Sequence, residues 1–530
     1  MTNNDLIGQI AKARKVSTPI LFVRTADPAA LLVDLVGDRE KQIPGIIGDD
    51  AAIQWDLVRG IRGLNAKGAA AAQQLTEGND PAAVSAVPTD ALRLLAKAPR
   101  GSVSFFLNAN RYWDAPDVVQ AIWNLRDPYK TSQRCLLCVG PSSARVPVEL
   151  EQDVITFDQP LPGREDLGRI LDVVHKAAKL AVPVDRTREK IVDALAGLSA
   201  FSAEQIAAMS LEKTGLDLAN LRTRRRAAIE NTPGLSIYRG TDTFANLGGL
   251  SQIKKFFGRL ASTAKEPIKS IAFIDEMDKA VAGAGAAGGP GDNTGIAQDQ
   301  LRAMLTNIQD TGSKGAMLFG VPGAGKTAFV KALATELGVE LVQWDLGAMM
   351  VSAAGGSQER IRGACEVQNA IGQGQTLWIA TCNSTATIPT ELRRRFRRYG
   401  EWYFDLPQAD ETPSIVDIYL KKFKLEVTGA NPLPDLSEWT GAEIESLFYI
   451  AYNLDLSFRE AADFVIPMKV SAADVVARLR SQATGRFLSV SRPGFYCGAS
   501  ANLDAPTRST RSINLEDVAA AVAFGGMKES

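Results

Sequence analysis

Over residues 1–165, short apolar runs of strand length alternate with stretches that read as helical. The runs occupy residues 19–23 (PILFV), 103–107 (VSFFL) and 135–139 (CLLCV). Near-continuous apolar runs of this kind are what parallel strands buried on both faces look like, so the pattern predicts an α/β domain. The first run leads into Arg24-Thr25-Ala26-Asp27-Pro28, which is no glycine-rich phosphate loop. The second leads into Asn108-Ala109-Asn110, at a place where a catalytic strand carries carboxylates. The domain has the rhythm of a nucleotide-binding fold without its chemistry. It is expected to bind no nucleotide and to dock a partner or build an assembly.

Residues 166–240 read as a helical connector and linker. Its helical part ends in Arg222, Arg224, Arg225 and Arg226, expected to be a solvated helix face. Pro233-Gly234 and Gly240-Thr241-Asp242 mark the boundary that follows. Residues 241–408 form a second α/β region, and residues 409–530 are mainly helical, interrupted from about 484 to 512. The low-complexity segment 282–295 (AGAGAAGGPGDNTG) is expected to be a mobile loop. At 530 residues the chain exceeds what one core supports, in keeping with these four segments.

Charge and composition narrow the function. Lys+Arg 59 against Asp+Glu 60 leaves a net charge of −1, so no global field recruits nucleic acid or an anionic membrane. The single histidine, His175, excludes a multi-histidine metal site and is expected at the surface or an interface. Five cysteines suit a reducing compartment, and Cys135 and Cys138 fall inside an apolar strand as core residues. Cys365 and Cys382 lack metal-ligand spacing. With no signal peptide and no membrane-length apolar run, a cytoplasmic protein is expected.

The chemistry is concentrated in residues 241–408. Gly320-Val321-Pro322-Gly323-Ala324-Gly325-Lys326-Thr327 matches G-x-x-x-x-G-K-[ST] in full. The apolar residues 316–319 precede it, and Val330, Leu333, Ala334 and Leu337 follow at helical spacing. Such a loop closes backbone N–H groups around phosphate oxygens at a helix N-terminus. Lys326 is placed to reach the β- and γ-phosphates of ATP and Thr327 to ligate Mg²⁺. Residues 270–274 form an apolar strand ending in Asp275, a Mg²⁺ partner, and Glu276, the candidate base for water. Side-chain oxygens of Asp275 and Thr327 are expected roughly 4–6 Å apart, bridged through water and the ion. Asp278 and Lys279 read as a subunit interface or a solvated turn. Residues 376–381 form another strand, and Asn383 just beyond it can orient water near the γ-phosphate. Arg393, Arg394, Arg395, Arg397 and Arg398 precede the strand 401–404. An arginine here can stabilise a neighbour's transition state, and a basic surface stripe is the other reading for most of the five.

Residues 241–470 resemble the AAA module of the AAA+ ATPase superfamily. Residues 244–250 (FANLGGL), including Gly248, resemble the stretch that family places beside adenine. Residues 357–362 (SQERIR) resemble the helix after its second strand. Thr440-Gly441-Ala442-Glu443-Ile444 resembles the start of its lid helix, also near the nucleotide. The whole chain is more weakly similar to plastid and cyanobacterial AAA proteins with a degenerate ATPase-like domain in front. The resemblance implies a P-loop parallel sheet with a helical lid behind an N-terminal α/β domain. It also implies an ATP-dependent ring, usually of six subunits, with Arg394 or Arg395 acting in trans.

Two features depart from that pattern. In the family the phosphate loop precedes the acidic strand, whereas Asp275-Glu276 here come before Lys326. Moving residues 263–310 to follow Val367 restores the usual order. In a parallel sheet every strand–helix unit begins and ends at the same edges, so units can exchange by rewiring links. With the family's strand order of five-one-four-three-two, each new crossover keeps its right-handed sense. The links 310–314 and 368–375 are long enough to pass beneath one strand. The usual site is therefore expected from an unusual chain order. Second, the pore-loop positions are Ala353-Ala354 before Gly355, without the aromatic ring that grips a threaded polypeptide.

Three functions remain open on the sequence. One is an ATP-hydrolysing ring that remodels proteins or complexes. The second is a nucleic-acid motor or loader, supported only by the arginine runs. The third is a nucleotide-gated scaffold that hydrolyses slowly.

Overall fold

The computed structural model describes residues 3–38, 43–142, 144–213, 215–279, 314–349, 356–384 and 390–498, with residues 304, 306, 308 and 388 besides. Segment 282–295 and the pore-loop positions 353–355 lie outside the described residues. The described residues form two α/β layers joined by a helical connector, with a helical lid on the second.

The first sheet contains β1 (Ile20–Arg24), β2 (Ala52–Asp56), β3 (Gly60–Gly63), β4 (Val103–Leu107), β5 (Cys135–Gly140) and β6 (Ile155–Asp158). Its spatial order is β3-β2-β4-β5-β1-β6, parallel except for the β2–β3 hairpin. Leaving the hairpin strand aside, chain order maps onto space as five-one-four-three-two. The three expected runs are strands; β2, β3 and β6 were not foreseen. β6 is an edge strand with no fully buried residue, so it lacks the apolar run that marks the others. Cys135 and Cys138 are buried on β5, where burial pushes both thiols up to about 12.

The loop after β1 explains the missing phosphate chemistry. Helix α1 (Pro28–Val36) starts where a bound phosphate would sit, and Asp27 occupies that end itself. Its carboxylate accepts the Ala30 amide at 3.0 Å and, through its other oxygen, the Phe201 amide of the connector at 3.0 Å. The chain's own anion caps the helix N-terminus.

The connector corrects two surface assignments. His175 is buried, 1% exposed, with Nδ1 2.9 Å from the Leu171 carbonyl oxygen one turn back. In helix α2 (Leu218–Glu230) the arginine run is not uniformly solvated. Arg225 is 2% exposed; its Nε donates to the Ala196 carbonyl at 2.7 Å and Nη1 to both Glu340 oxygens at 2.6 Å. The helix therefore turns one arginine inward to fasten the connector to the second sheet.

The second sheet comprises β7 (Leu235–Ile237), β8 (Ser270–Ile274), β9 (Lys314–Gly320), β10 (Glu340–Trp344), β11 (Thr376–Cys382), β12 (Glu401–Phe404) and β13 (Leu488–Ser489), with helix α3 (Ser251–Thr263) between β7 and β8. The spatial order is β7-β10-β8-β11-β9-β12-β13. All pairs are parallel except β7 with β10. The acid-bearing β8 thus lies between β10 and β11, at position three of the expected order, although it precedes every other parallel strand of this sheet in the chain. One link differs from expectation. Helix α5 (Gly356–Gly372) continues past residue 368, which leaves only residues 373–375 to reach β11. Gln373 and Gly374, both at positive φ, make that turn.

Helices α6 (Thr412–Phe423) and α7 (Gly441–Leu454) head the lid, which has its own small core around Trp439, Leu447 and Phe448. Among the described residues, no helix is long and apolar enough to cross a membrane.

The Arg225–Glu340 pair gives a stability prediction. Glu340→Ala leaves a buried guanidinium without its partner and is expected to cost about 3 kcal/mol in urea unfolding. An Arg225→Met/Glu340→Leu double variant is expected to recover most of that loss.

Candidate functional site

β9 delivers the chain to the loop 321–325, and α4 (Lys326–Leu337) carries it away. Two glycines make the loop possible. Gly320 has φ +151, and a Cβ there would lie 2.1 Å from the Phe404 carbonyl oxygen. Gly325, at φ +88, caps α4 in a left-handed conformation that other residues rarely adopt. The result is a helix N-terminus with its amides open to a cleft of about 370 Å³.

Pro322, Gly323, Ala324, Gly325, Lys326, Thr327, Asp275, Glu276, Asn383, Gly248, Gly441 and Ala442 all line this cleft. Gly320 and Val321 stand behind it, offering their carbonyls to Lys326. The Lys326 ammonium donates to Gly320 O at 2.8 Å, Val321 O at 2.9 Å and Asn383 Oδ1 at 2.8 Å. Burial lowers its pKa to about 8. All three of its protons are engaged, so a phosphate must take over from a carbonyl or from Asn383.

Asp275 and Thr327 are closer than expected. Thr327 Oγ1 lies 3.2 Å from each Asp275 oxygen, because the hydroxyl donates directly to the carboxylate. Asp275 also accepts from the Thr381 hydroxyl, which in turn accepts the Glu276 amide at 2.9 Å. The Glu276 carboxylate pairs with Lys279 at 2.7 Å. Lys279 is exposed, as a solvated turn requires, but Asp278 is not. It is 9% exposed and accepts the Ser384 amide at 3.1 Å, tying the turn after β8 to the segment after β11.

The far end of the cleft is apolar. Gly248 sits so close to α6 that a Cβ would meet Ile415 Cγ1 at 2.4 Å. Glu411 accepts the Leu250 amide at 2.9 Å, and Ser414 accepts that of Gly249 at 3.0 Å. Ile415, Ile418, Tyr419 and Val490 complete the wall. Gly441 and Ala442 begin α7, whose Thr440 and Glu443 cap each other reciprocally.

Sequence reasoning missed Thr381 as a site residue, together with Glu411, Asp405 and the Val490-Ser491 segment, all of which line the cleft. A hydroxyl at the end of an apolar strand was the available signal for Thr381. Val490 and Ser491 carry none, since they arrive by β13 adding to the sheet edge beside β12. Arg393, Arg394 and Arg395 are not among the lining residues. Arg393 donates to Glu401 at 3.0 Å, while Arg394 is exposed on the helix Thr390–Arg395.

Two family models match the chain. Residues 6–159 match the SpoVK-like AAA ATPase N-terminal domain. Residues 316–371 match the AAA family, described as the ATPase family associated with various cellular activities. Both matches are to AAA ATPase family models, one on each α/β region. The AAA match begins on β9 and ends in α5, so the acid-bearing β8 lies upstream of it. Similar proteins include the uncharacterized AAA domain-containing protein ycf46 of Gracilaria tenuistipitata var. liui. It is 24% identical over 417 residues, covering 68% of this chain and 76% of the relative. The ycf46 protein of Trieres chinensis is 21% identical over 460 residues, covering 77% and 84%. That of Guillardia theta is 20% identical over 398 residues, covering 66% and 70%.

The lowered pKa of Lys326 has a measurable consequence for the AAA module. At pH 8 the free site is about half protonated, and an anionic phosphate favours the charged form. Binding of ATP in EDTA, with no divalent ion, is therefore expected to take up about half a proton. Calorimetry in buffers of different ionisation enthalpy measures this uptake. It should vanish in Lys326→Met, and the stoichiometry should be one nucleotide per chain because the Asp27 carboxylate at the first domain's helix end repels phosphate.

Proposed function

We propose that this chain hydrolyses ATP in the cleft and works as a ring of six subunits that remodels proteins or protein complexes. The observation that carries the hydrolysis is convergence. Lys326 and Thr327, Asp275 and Glu276, and Asn383 come from three separate stretches of chain and meet around one loop. Open helix amides, a cation and an apolar slot fit a nucleoside triphosphate.

In this reading the loop amides and Lys326 hold the phosphates, with Lys326 exchanging one of its present acceptors for a phosphoryl oxygen. Gly248, Ile415, Gly441 and Ala442 enclose the base. Thr327 and Asp275 suit Mg²⁺, a hard cation that takes oxygen ligands and, when bound, offsets phosphate charge. Glu276 accepts the proton of the attacking water as its oxygen bonds to the γ-phosphorus and the bond to ADP breaks. Asn383 orients that water. Glu276 must leave Lys279 to do so, and that ion pair favours, as a second reading, a scaffold that hydrolyses slowly. A nucleic-acid motor loses support, because Arg225 of the basic run is buried in an ion pair.

Two experiments test this. Lys326→Ala is expected to weaken ATP binding, whereas Glu276→Gln should keep ATP bound while turnover falls about 10²-fold or more. Equal turnover in Glu276→Gln and wild type removes Glu276 as the base.

Ring action rests on Arg394 or Arg395 reaching a neighbour's γ-phosphate. Such arginines contribute about 10³–10⁵ in rate in related phosphoryl transfer. Arg394→Ala or Arg395→Ala should abolish hydrolysis while sparing ATP binding, and mixing either with Lys326→Ala should restore some turnover. The arginine variant keeps an intact site and borrows its neighbour's finger. Full activity in a dilute monomer, with both arginine variants active, leaves the cluster as a surface stripe.

A further inference from the structure

We propose that Thr381 is a positioning residue whose single hydroxyl sets both carboxylates of the acid pair. The inference rests on reading the cleft as an ATP site and names a residue which that reading does not require.

Thr381 is 1% exposed at the end of β11. The partner strand β8 pairs with β11 as far as Ile274 against Ala380, so Thr381 stands level with Asp275, just past the last paired residue. Its hydroxyl lies in contact with the Asp275 carboxylate and 2.9 Å from the Glu276 amide. The amide can only donate, so the hydroxyl accepts there and its one proton goes to Asp275. The direction of both bonds is fixed by chemistry.

Each bond restrains a different carboxylate. Asp275 is held between two hydroxyls from different elements, Thr327 on α4 and Thr381 on β11. Its oxygens therefore face the loop rather than rotating about the side chain. Glu276 adopts φ +48, a left-handed conformation that is uncommon for any residue with a Cβ. The Thr381 bond anchors the amide at that turn and so fixes where the Glu276 side chain leaves the backbone. Asn383 stands two residues further on, in the bend that follows β11. In that way the end of β11 holds the acid pair through Thr381 and Lys326 through Asn383.

The test compares full-length Thr381→Val, which keeps the shape and removes the hydroxyl, with Thr381→Ser, which keeps the hydroxyl. ATP affinity is measured by calorimetry with and without Mg²⁺, and steady-state turnover alongside. In Thr381→Val the gain in affinity on adding Mg²⁺ should shrink and kcat should fall, each by about tenfold, as expected for hydrogen bonding to a charged group. Mg²⁺-free affinity should stay within about twofold of wild type, since Lys326 and the loop are untouched. Thr381→Ser should behave as wild type. Thr381→Ala removes the same hydroxyl with less bulk and replaces the valine variant if that does not fold. An unchanged Mg²⁺ response, an equal loss of affinity with and without Mg²⁺, or failure of serine to rescue would overturn the proposal. If the wild-type protein itself turns nothing over, the hydrolysis reading fails, and the Mg²⁺ response still decides the role of Thr381.

Discussion

Strand β8 is held on both sides by strands that follow it in the chain, and the cleft depends on that placement. Ser270 pairs with Glu340 on one side and with Thr376 on the other, and the register carries through to Ile274. This brings Asp275 and Glu276 level with the end of β11 and beside the loop that leaves β9. A slip of one residue would turn Asp275 away from Thr327 and exchange which strand residues face the core. The buried Ser270 hydroxyl, which meets Thr376 and accepts from Gln368 of α5, helps pin the register.

The two sheets of this chain solve one spatial problem with two chain orders. In the first, strands one to five follow one another in sequence. In the second, the strand in position three comes first. Position one is flanked by the same two places in both, β5 and β6 around β1, β11 and β12 around β9. The crevice at such a point, where successive crossovers leave in opposite directions, is where ligand sites form. In the second sheet glycines leave that helix end open; in the first, Asp27 caps it with a carboxylate. The difference between a nucleotide cleft and a structural joint is local to a few loop residues.

Much of this was legible because it is written in contiguous residues. The strand–loop–helix unit around Lys326 and the apolar run ending in Asp275-Glu276 each identify themselves, and the place of β8 followed from the family's strand order, which crossover handedness permits. What stayed hidden depends on partners distant in sequence. Arg225 looks solvated until Glu340 is beside it, and His175 looks exposed until its helix face is packed. Thr381, Glu411 and Val490 acquire meaning only from the segments they touch. The arginines before β12 lie outside the cleft, and Arg393 and Arg397 both pair with Glu401.

The chain order also dictates how the second sheet can be built during synthesis. β7, β8 and β9 leave the ribosome in succession, and no two of them pair with each other. β7 waits for β10, β8 for β10 and β11, and β9 for β11 and β12. Two of these are apolar strands, buried along almost their whole length in the finished sheet, so both edges stay open while a further stretch of chain is made. Unpaired apolar edges of this kind are templates for pairing with other chains, and long-range pairing is slow. In the first sheet β4 and β5 pair as soon as they appear, and β1 alone waits unpaired, for β5 and β6. The nascent AAA module therefore holds two apolar strands open at once, β8 and β9, where the first sheet holds one.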